Sequence, residues 1–272
     1  LDLEHEWNGF RIQDDFRGEF YSQTHTLETG DFISDGDPLP GFVSTQEDDY
    51  DHFQGSNALT VEKKLKPWWL ASGGYYYSHL DGDANLALGN FDPSNPAGAG
   101  MPFSTRGIQL SSESHIMNLN SLLEPSHHTT GYAGIQTEWT RRKGTGDTTF
   151  FGTPTTLGSN VDRFQIEENF GLRHTGIANT ILYTDVRIQQ ESIGQTENLL
   201  LDDSFDSRED FMRDTDAKGR HANVELGTTF SPFYQWSFNP TYGYRRRHHD
   251  FNNLLDTDRG PQPGNGFPAA IL

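Results

Sequence analysis

The stretch His221-Ala-Asn-Val-Glu-Leu-Gly-Thr-Thr-Phe230, then Ser231-Pro-Phe-Tyr234, then Gln235-Trp-Ser-Phe-Asn-Pro-Thr-Tyr-Gly-Tyr244, decides the fold class. In its first part Ala222, Val224, Leu226, Thr228 and Phe230 alternate with Asn223, Glu225, Gly227 and Thr229. In its last part Trp236, Phe238, Pro240, Tyr242 and Tyr244 alternate with Ser237, Asn239, Thr241, Gly243 and Arg245. A period of two sends successive side chains to opposite faces of a strand, so each part reads as a strand with one apolar and one polar face. The four residues between them make the pair a hairpin.

Working outward, the same alternation recurs along the chain. Gly131, Ala133, Ile135, Thr137 and Trp139 oppose Tyr132, Gly134, Gln136, Glu138 and Thr140; Leu182, Val186 and Ile188 oppose Tyr183, Asp185, Arg187 and Gln189. Between 161 and 174, Phe164, Ile166, Phe170 and Leu172 oppose Gln165, Glu167, Asn169 and Arg173, with Glu168 as the one intruder on the apolar side. Asn8-Gly9, between two such runs, is a strong two-residue hairpin signal. The pattern predicts ten strands, near residues 1–7, 10–22, 53–65, 69–79, 114–124, 129–142, 161–174, 178–191, 220–230 and 235–249. Short turns at Asn8-Gly9, Lys66 to Trp68, Pro125 to His128, Thr175 to Ile177 and Ser231 to Tyr234 alternate with long polar segments near 23–52, 80–113, 143–160, 192–219 and 250–272. No helical period and no domain boundary interrupts residues 1–272.

Composition narrows the classes. Apolar residues make up 33% and aromatics 12% of the 272, with 28 glycines and no cysteine. No window approaches 18 apolar residues, which excludes membrane-spanning helices, and the aromatic content argues against disorder. A net charge of -19, from 39 acidic and 20 basic side chains, speaks against nucleic acid as a partner. Without cysteine there is no disulfide framework, thiolate zinc site or C-x-x-C-H haem attachment.

A soluble β-sandwich also alternates, and three features favour an antiparallel, up-and-down transmembrane β-barrel over it. The predicted strands are long, about 10 to 14 residues, where a tilted bilayer crossing needs about 9–11 and globular strands cluster near 5–6. Connections alternate short and long, as in outer-membrane barrels. Aromatics recur at girdle spacing: Trp69 and Tyr77, like Trp236 and Tyr244, are eight residues apart on one face, a rise of about 20 Å at about 40° of tilt. With Trp139 they form the predicted aromatic girdle. Ala222, Val224, Leu226, Phe238, Tyr242, Leu182, Val186, Ile188 and Ile135 are then expected to face lipid. Glu62, Lys64, Glu138, Glu167, Arg173, Asp185, Arg187, Glu225, Arg245 and Arg247 are expected to line a polar lumen, as a mixture of signs suited to water or cross-strand ion pairs.

The repeated cassette of alternating strand, Pro-bearing short turn, alternating strand and Asp/Gly-rich loop resembles Gram-negative outer-membrane β-barrels. It stands out in Ala222 to Phe230, Ser231-Pro232-Phe233-Tyr234 and Trp236 to Tyr244, and in Asn57 to Leu65, Lys66-Pro67 and Trp69 to Tyr77. Its texture is most similar to large barrels of the MtrB/PioB type, and porins and TonB-dependent transporters share it. The resemblance implies the cell outer membrane, a lipid partner, and a porin-like transport role passing small solutes. For the MtrB/PioB type it implies instead a sleeve around a multihaem cytochrome or another envelope protein. A soluble secreted β-protein used in adhesion or assembly is the competing class. Both ends of the chain fall on the long-loop side, and residue 1 lies within an alternating run. The expectation is therefore an internal stretch of a larger barrel whose first and last strands pair with further strands.

Catalysis is not expected, for no G-x-S-x-G, H-E-x-x-H or P-loop occurs. Outer-membrane proteases use Asp and His at a barrel mouth, and Asp250 beside His248 and His249 could only mimic that. No metal site is expected either: His127-His128 and His248-His249 are adjacent pairs, which a strand sends to opposite faces so that neither is a good chelate, and His52, His79 and His174 also fall near strand ends. Asp81-Gly82-Asp83-Ala84-Asn85, and Asp31 with Asp35 and Asp37, imitate half a calcium loop, so loop-bound calcium is the one cofactor entertained; neither has the full EF-hand pattern.

Overall fold

The computed structural model describes residues 1–30, 33–34, 37–38, 43–91, 103–150, 153–201, 211–233 and 235–256. Every regular element among them is a strand: β1 (Asp2–Trp7), β2 (Phe10–Gly30), β3 (Ile33–Ser34), β4 (Asp37–Pro38), β5 (Val43–Lys66), β6 (Trp69–Phe91), β7 (Phe103–Ser126), β8 (Thr129–Phe150), β9 (Thr153–Ile177), β10 (Thr180–Leu201), β11 (Phe211–Phe233), β12 (Trp236–Phe238) and β13 (Thr241–Asp256). All but β3 and β4 form one antiparallel up-and-down sheet, in the order β1-β2-β5-β6-β7-β8-β9-β10-β11, with β12 and β13 both on β11. All ten predicted strands are present, and the last is broken. Pro240 has no N–H to give the ladder, and the chain resumes at Thr241 after the Pro240 carbonyl accepts a bond from Thr228 N at 3.1 Å. β1 pairs with β2, β12 and β13 pair with β11, and these are the two edges of the sheet among the described residues.

The turns bear out the local chemistry, with shifts. Asn8 and Gly9 both have positive φ, 49° and 76°, as a type I′ turn requires, and Trp7 pairs with Phe10 across them. The turn expected at Thr175 to Ile177 lies further on, where Ile177 pairs with Thr180 and Asn179 takes φ 57°. Pro125 falls in a ladder irregularity at the end of β7, and the turn it was expected to open is His127-His128.

The larger correction concerns the long segments. Strands β2 and β5 to β11 are 21 to 25 residues long and run well past their predicted ends. β6 continues beyond His79 to Phe91, and β8 and β9 leave only residues 151 and 152 between them where a loop spanning 143–160 was expected. Strict alternation of short and long connections therefore fails at that hairpin. Apolar alternation marks a strand only where the two faces meet different surroundings. In the extensions the outer face is mostly polar, and scattered apolar residues such as Ile108, Leu110 and Ile193 stand on the inner face and do not continue the alternation, so the backbone ladder runs on without a hydrophobic pattern to announce it. Asp81 to Asn85 accordingly lies inside β6 and not in a loop, which removes the calcium-loop reading there; Asp31 and Asp35 lie outside the described residues.

The ladder settles which residues share a face. One face carries the polar set and the other the apolar set from β1 to β13, because neighbouring residues across each pair point the same way. The buried described residues are Gly82, Thr105, Gly134, Thr140, Gly146, Thr148, Thr155, Gln165, Gly171 and Gly219, and all stand on the polar face. Side chains converge and shield one another on the concave side of a curved sheet, so the polar face is the inner one. No hydrophobic residue among those described is buried, and no second layer covers the sheet. Met117 and Leu119, on the apolar face, are 58% and 60% exposed. The sandwich architecture, which buries its apolar faces against each other, is thereby excluded for the described residues.

Candidate functional site

The functional surface is the sheet itself, a wall with two unlike faces. All ten residues predicted for the lumen, Glu62, Lys64, Glu138, Glu167, Arg173, Asp185, Arg187, Glu225, Arg245 and Arg247, stand on the concave polar face. Five of them are held in place. Arg187 Nη2 donates to Glu167 Oε2 at 2.7 Å, and Glu138 Oε1 accepts from Arg163 Nη1 at 3.4 Å. Asp185 accepts from the Tyr132 hydroxyl, and Glu225 Oε1 from Tyr183 Oη at 3.3 Å. Glu62, Lys64, Arg173, Arg245 and Arg247 share the face without an ion pair among the described residues.

Two features of this face were not legible in the sequence. The first is a repeated lock. Tyr132 on β8 is paired with Gly171 on β9, which is paired in turn with Asp185 on β10; the ring lies over the glycine and its hydroxyl reaches the carboxylate two strands away. Tyr183 repeats this over Gly227 to Glu225 and to Thr241 Oγ1 at 3.1 Å. A Cβ on either glycine would overlap the ring. The second is a cluster of Glu191, His221 and His249 on β10, β11 and β13, whose ligand atoms lie within 4.8 Å of one another. As expected, His248 points away from its neighbour: its Nε2 lies 3.1 Å from Asp250 Oδ2. His249 finds its partners on other strands, which only the register brings to it.

The opposite face carries all five predicted girdle residues, Trp69, Tyr77, Trp139, Trp236 and Tyr244. Tyr77, His115 and Trp139 form a ring-to-ring row across β6, β7 and β8, with centroids 5.0 and 5.1 Å apart. Beyond that row this face turns charged: His79, Asp81, Glu113, Arg141 and Asp162. There, outside the apolar band, Arg141 Nε donates to Asp162 Oδ1 at 2.8 Å and holds its carboxyl below the usual carboxylate range. Three charged groups break the band: Lys63, whose Nζ lies 3.7 Å over the Phe10 ring, Asp14 and Glu168. Asp14 accepts a bond from Asn57 Nδ2 at 2.8 Å, whereas Glu168 sits between Ile135 and Ile188 in the middle of the β9 stretch that Phe164 and Leu172 bound.

No family model matches this chain, and no curated protein sequence matches it. Among solved structures it is similar to the ferric yersiniabactin uptake receptor FyuA from Yersinia pestis, at 11% identity and a TM-score of 0.45. The match covers 94% of this chain and 46% of that one, so the chain spans about half the length of that receptor.

The border of the apolar band has a slope. On the apolar face the band ends, towards the long connections, at Phe20, Phe53, Tyr77, Met117 (level with Tyr75 on β6), Trp139, Phe164, Ile188, Ala222 and Tyr244, on β2, β5 to β11 and β13 in turn, with only scattered apolar residues beyond it. Followed through the ladder to β6, Phe20 and Phe53 stand level with Asp81, Trp139 and Phe164 with Tyr77, Ile188 and Ala222 with Gly73, and Tyr244 with Ala71. The border drifts about ten residues in eight strand-to-strand steps, and at about 3.3 Å per residue and about 4.8 Å per strand this is a tilt of about 40°.

Proposed function

We propose that this chain forms part of the wall of an outer-membrane β-barrel, with its apolar face in lipid and its concave face lining a water-filled pore for small solutes. The observation carrying this reading is the sloped border. A flat membrane surface meeting strands tilted by about 35–45° cuts successive strands about one residue further along each time, and the aromatic and aliphatic residues follow such a line. The band on each strand, for example Trp69 to Tyr77 or Ala222 to Phe230, matches the height of an outward apolar belt, and the strand extensions beyond it stand in water. In hydrocarbon the free edges at β1 and β13 would leave unsatisfied backbone groups at several kcal/mol each, so they pair with further strands of the same polypeptide or of another subunit.

Polarised infrared dichroism of the chain reconstituted in oriented bilayers tests the wall: strands inclined about 40° to the membrane normal are expected. A chain that stays soluble without detergent, or shows no preferred strand orientation, would reject it. Ion conductance across planar bilayers tests the pore; a sleeve filled by a partner would co-purify with that partner and conduct only after its removal.

Glu168 gives a sharper check on the lipid face. A carboxylate there, with no partner among the described residues, is expected to weaken the folded state, by less than the 2–4 kcal/mol of a midplane Arg. Glu168→Leu should therefore stabilise the chain by about 1–2 kcal/mol in denaturant unfolding from lipid vesicles. Loss of stability would mean that Glu168 meets a polar partner on that face.

A further inference from the structure

We propose that Glu191, His221 and His249 form a binding site for a divalent transition-metal ion, Zn²⁺ by ligand type. It lies on the concave face just past the apolar band, which on the pore reading above is the lumen mouth. The register assembles it: Glu191 is paired with Gly219, Gly219 with His249, and His221 stands two residues along β11 on the same face. Gly219 makes the room, since a Cβ there would come within 2.6 Å of Glu191 Oε1, so the carboxylate reaches over the glycine towards the imidazoles.

The geometry is that of a site about to close. Glu191 Oε1 lies 4.0 Å from His221 Nε2, outside hydrogen-bonding range, and the two imidazole rings are 4.9 Å apart at 75° to each other. Metal–nitrogen bonds of about 2.0–2.1 Å in a tetrahedron place ligand atoms about 3.3 Å apart, so modest side-chain rotations suffice. Arg163 Nη2 lies 3.5 Å from Glu191 Oε2 and orients the carboxylate so that its other oxygen faces the histidines. Two imidazoles and a carboxylate suit Zn²⁺ and leave one tetrahedral position for water or a solute's ligand atom.

The test uses the whole chain purified in detergent, so its outcome is independent of bilayer orientation and conductance. Co²⁺ added alone should give the visible absorption of a four-coordinate site at one equivalent, and Zn²⁺ should displace it. His221→Ala and His249→Ala should each weaken Zn²⁺ binding at least about tenfold, Glu191→Gln should weaken it while keeping the side chain's shape, and His248→Ala should leave it unchanged. Circular dichroism confirms the sheet in each variant, and His221→Gln replaces His221→Ala if the latter loses it. Absence of saturable binding in the folded wild type, or equal affinity in wild type and the His221 and His249 variants, would overturn the assignment.

Discussion

Replacing Gly171 by Val should cost about 2–4 kcal/mol, measured by urea unfolding of the chain folded in vesicles. The Tyr132 ring lies where the new Cβ must go, with backbone on either side. Valine therefore evicts the ring or bends the strand. Overpacking of this kind costs about 1–3 kcal/mol, and eviction also forfeits the hydroxyl's bond to the Asp185 carboxylate, worth about 1.5–3 kcal/mol. The two losses are alternatives in part, so they do not simply add. The double variant Tyr132→Ala with Gly171→Val separates this lock from a generic intolerance of side chains in β9. With the ring gone, valine should be nearly neutral relative to Tyr132→Ala alone, a coupling of about 2 kcal/mol. If valine costs as much with the ring absent, the ring is not what the glycine accommodates.

Leu226→Arg should destabilise the chain by about 2–4 kcal/mol in the same vesicles, because Leu226 lies midway between Ala222 and Phe230 on the apolar face. The matched substitution on the other face is Gln136→Arg. Gln136 is paired with Glu167 across β9, so an added cation there meets a carboxylate and water, and the change should stay within about 1 kcal/mol. Gly227, though next to Leu226 and on the polar face, cannot serve as this control, since Tyr183 covers it and a side chain there would have to displace the ring, which mixes a steric effect with the change of face. Equal costs for Leu226→Arg and Gln136→Arg would mean that the two faces do not see different solvents.

These two experiments probe features of different legibility. That Leu226 and Gln136 face opposite ways could be read directly from the alternation in their own strands. That Gly171 must stay a glycine could not, because the ring that excludes a side chain arrives from a residue 39 positions earlier in the sequence, Tyr132. The strand extensions were missed for a different reason. Glu47 to Asp51 is ladder-bonded on both sides, to β2 and to β6, but has no apolar face to set up a period. A reading keyed to hydrophobic alternation ends where the apolar face ends.

The amino-acid sequence by itself determined the all-β class, the ten strands, the Asn8-Gly9 turn and the assignment of each side chain to a face, because a strand's period of two is a local property that neighbouring residues impose. Only the tertiary structure decided which residues stand side by side on different strands. That includes the tyrosine locks over Gly171 and Gly227, the gathering of Glu191, His221 and His249, and the slope of the apolar border. All three depend on register, which is set by the sum of pairings along strands of more than twenty residues and by the offset between successive turns, and no single segment carries that information.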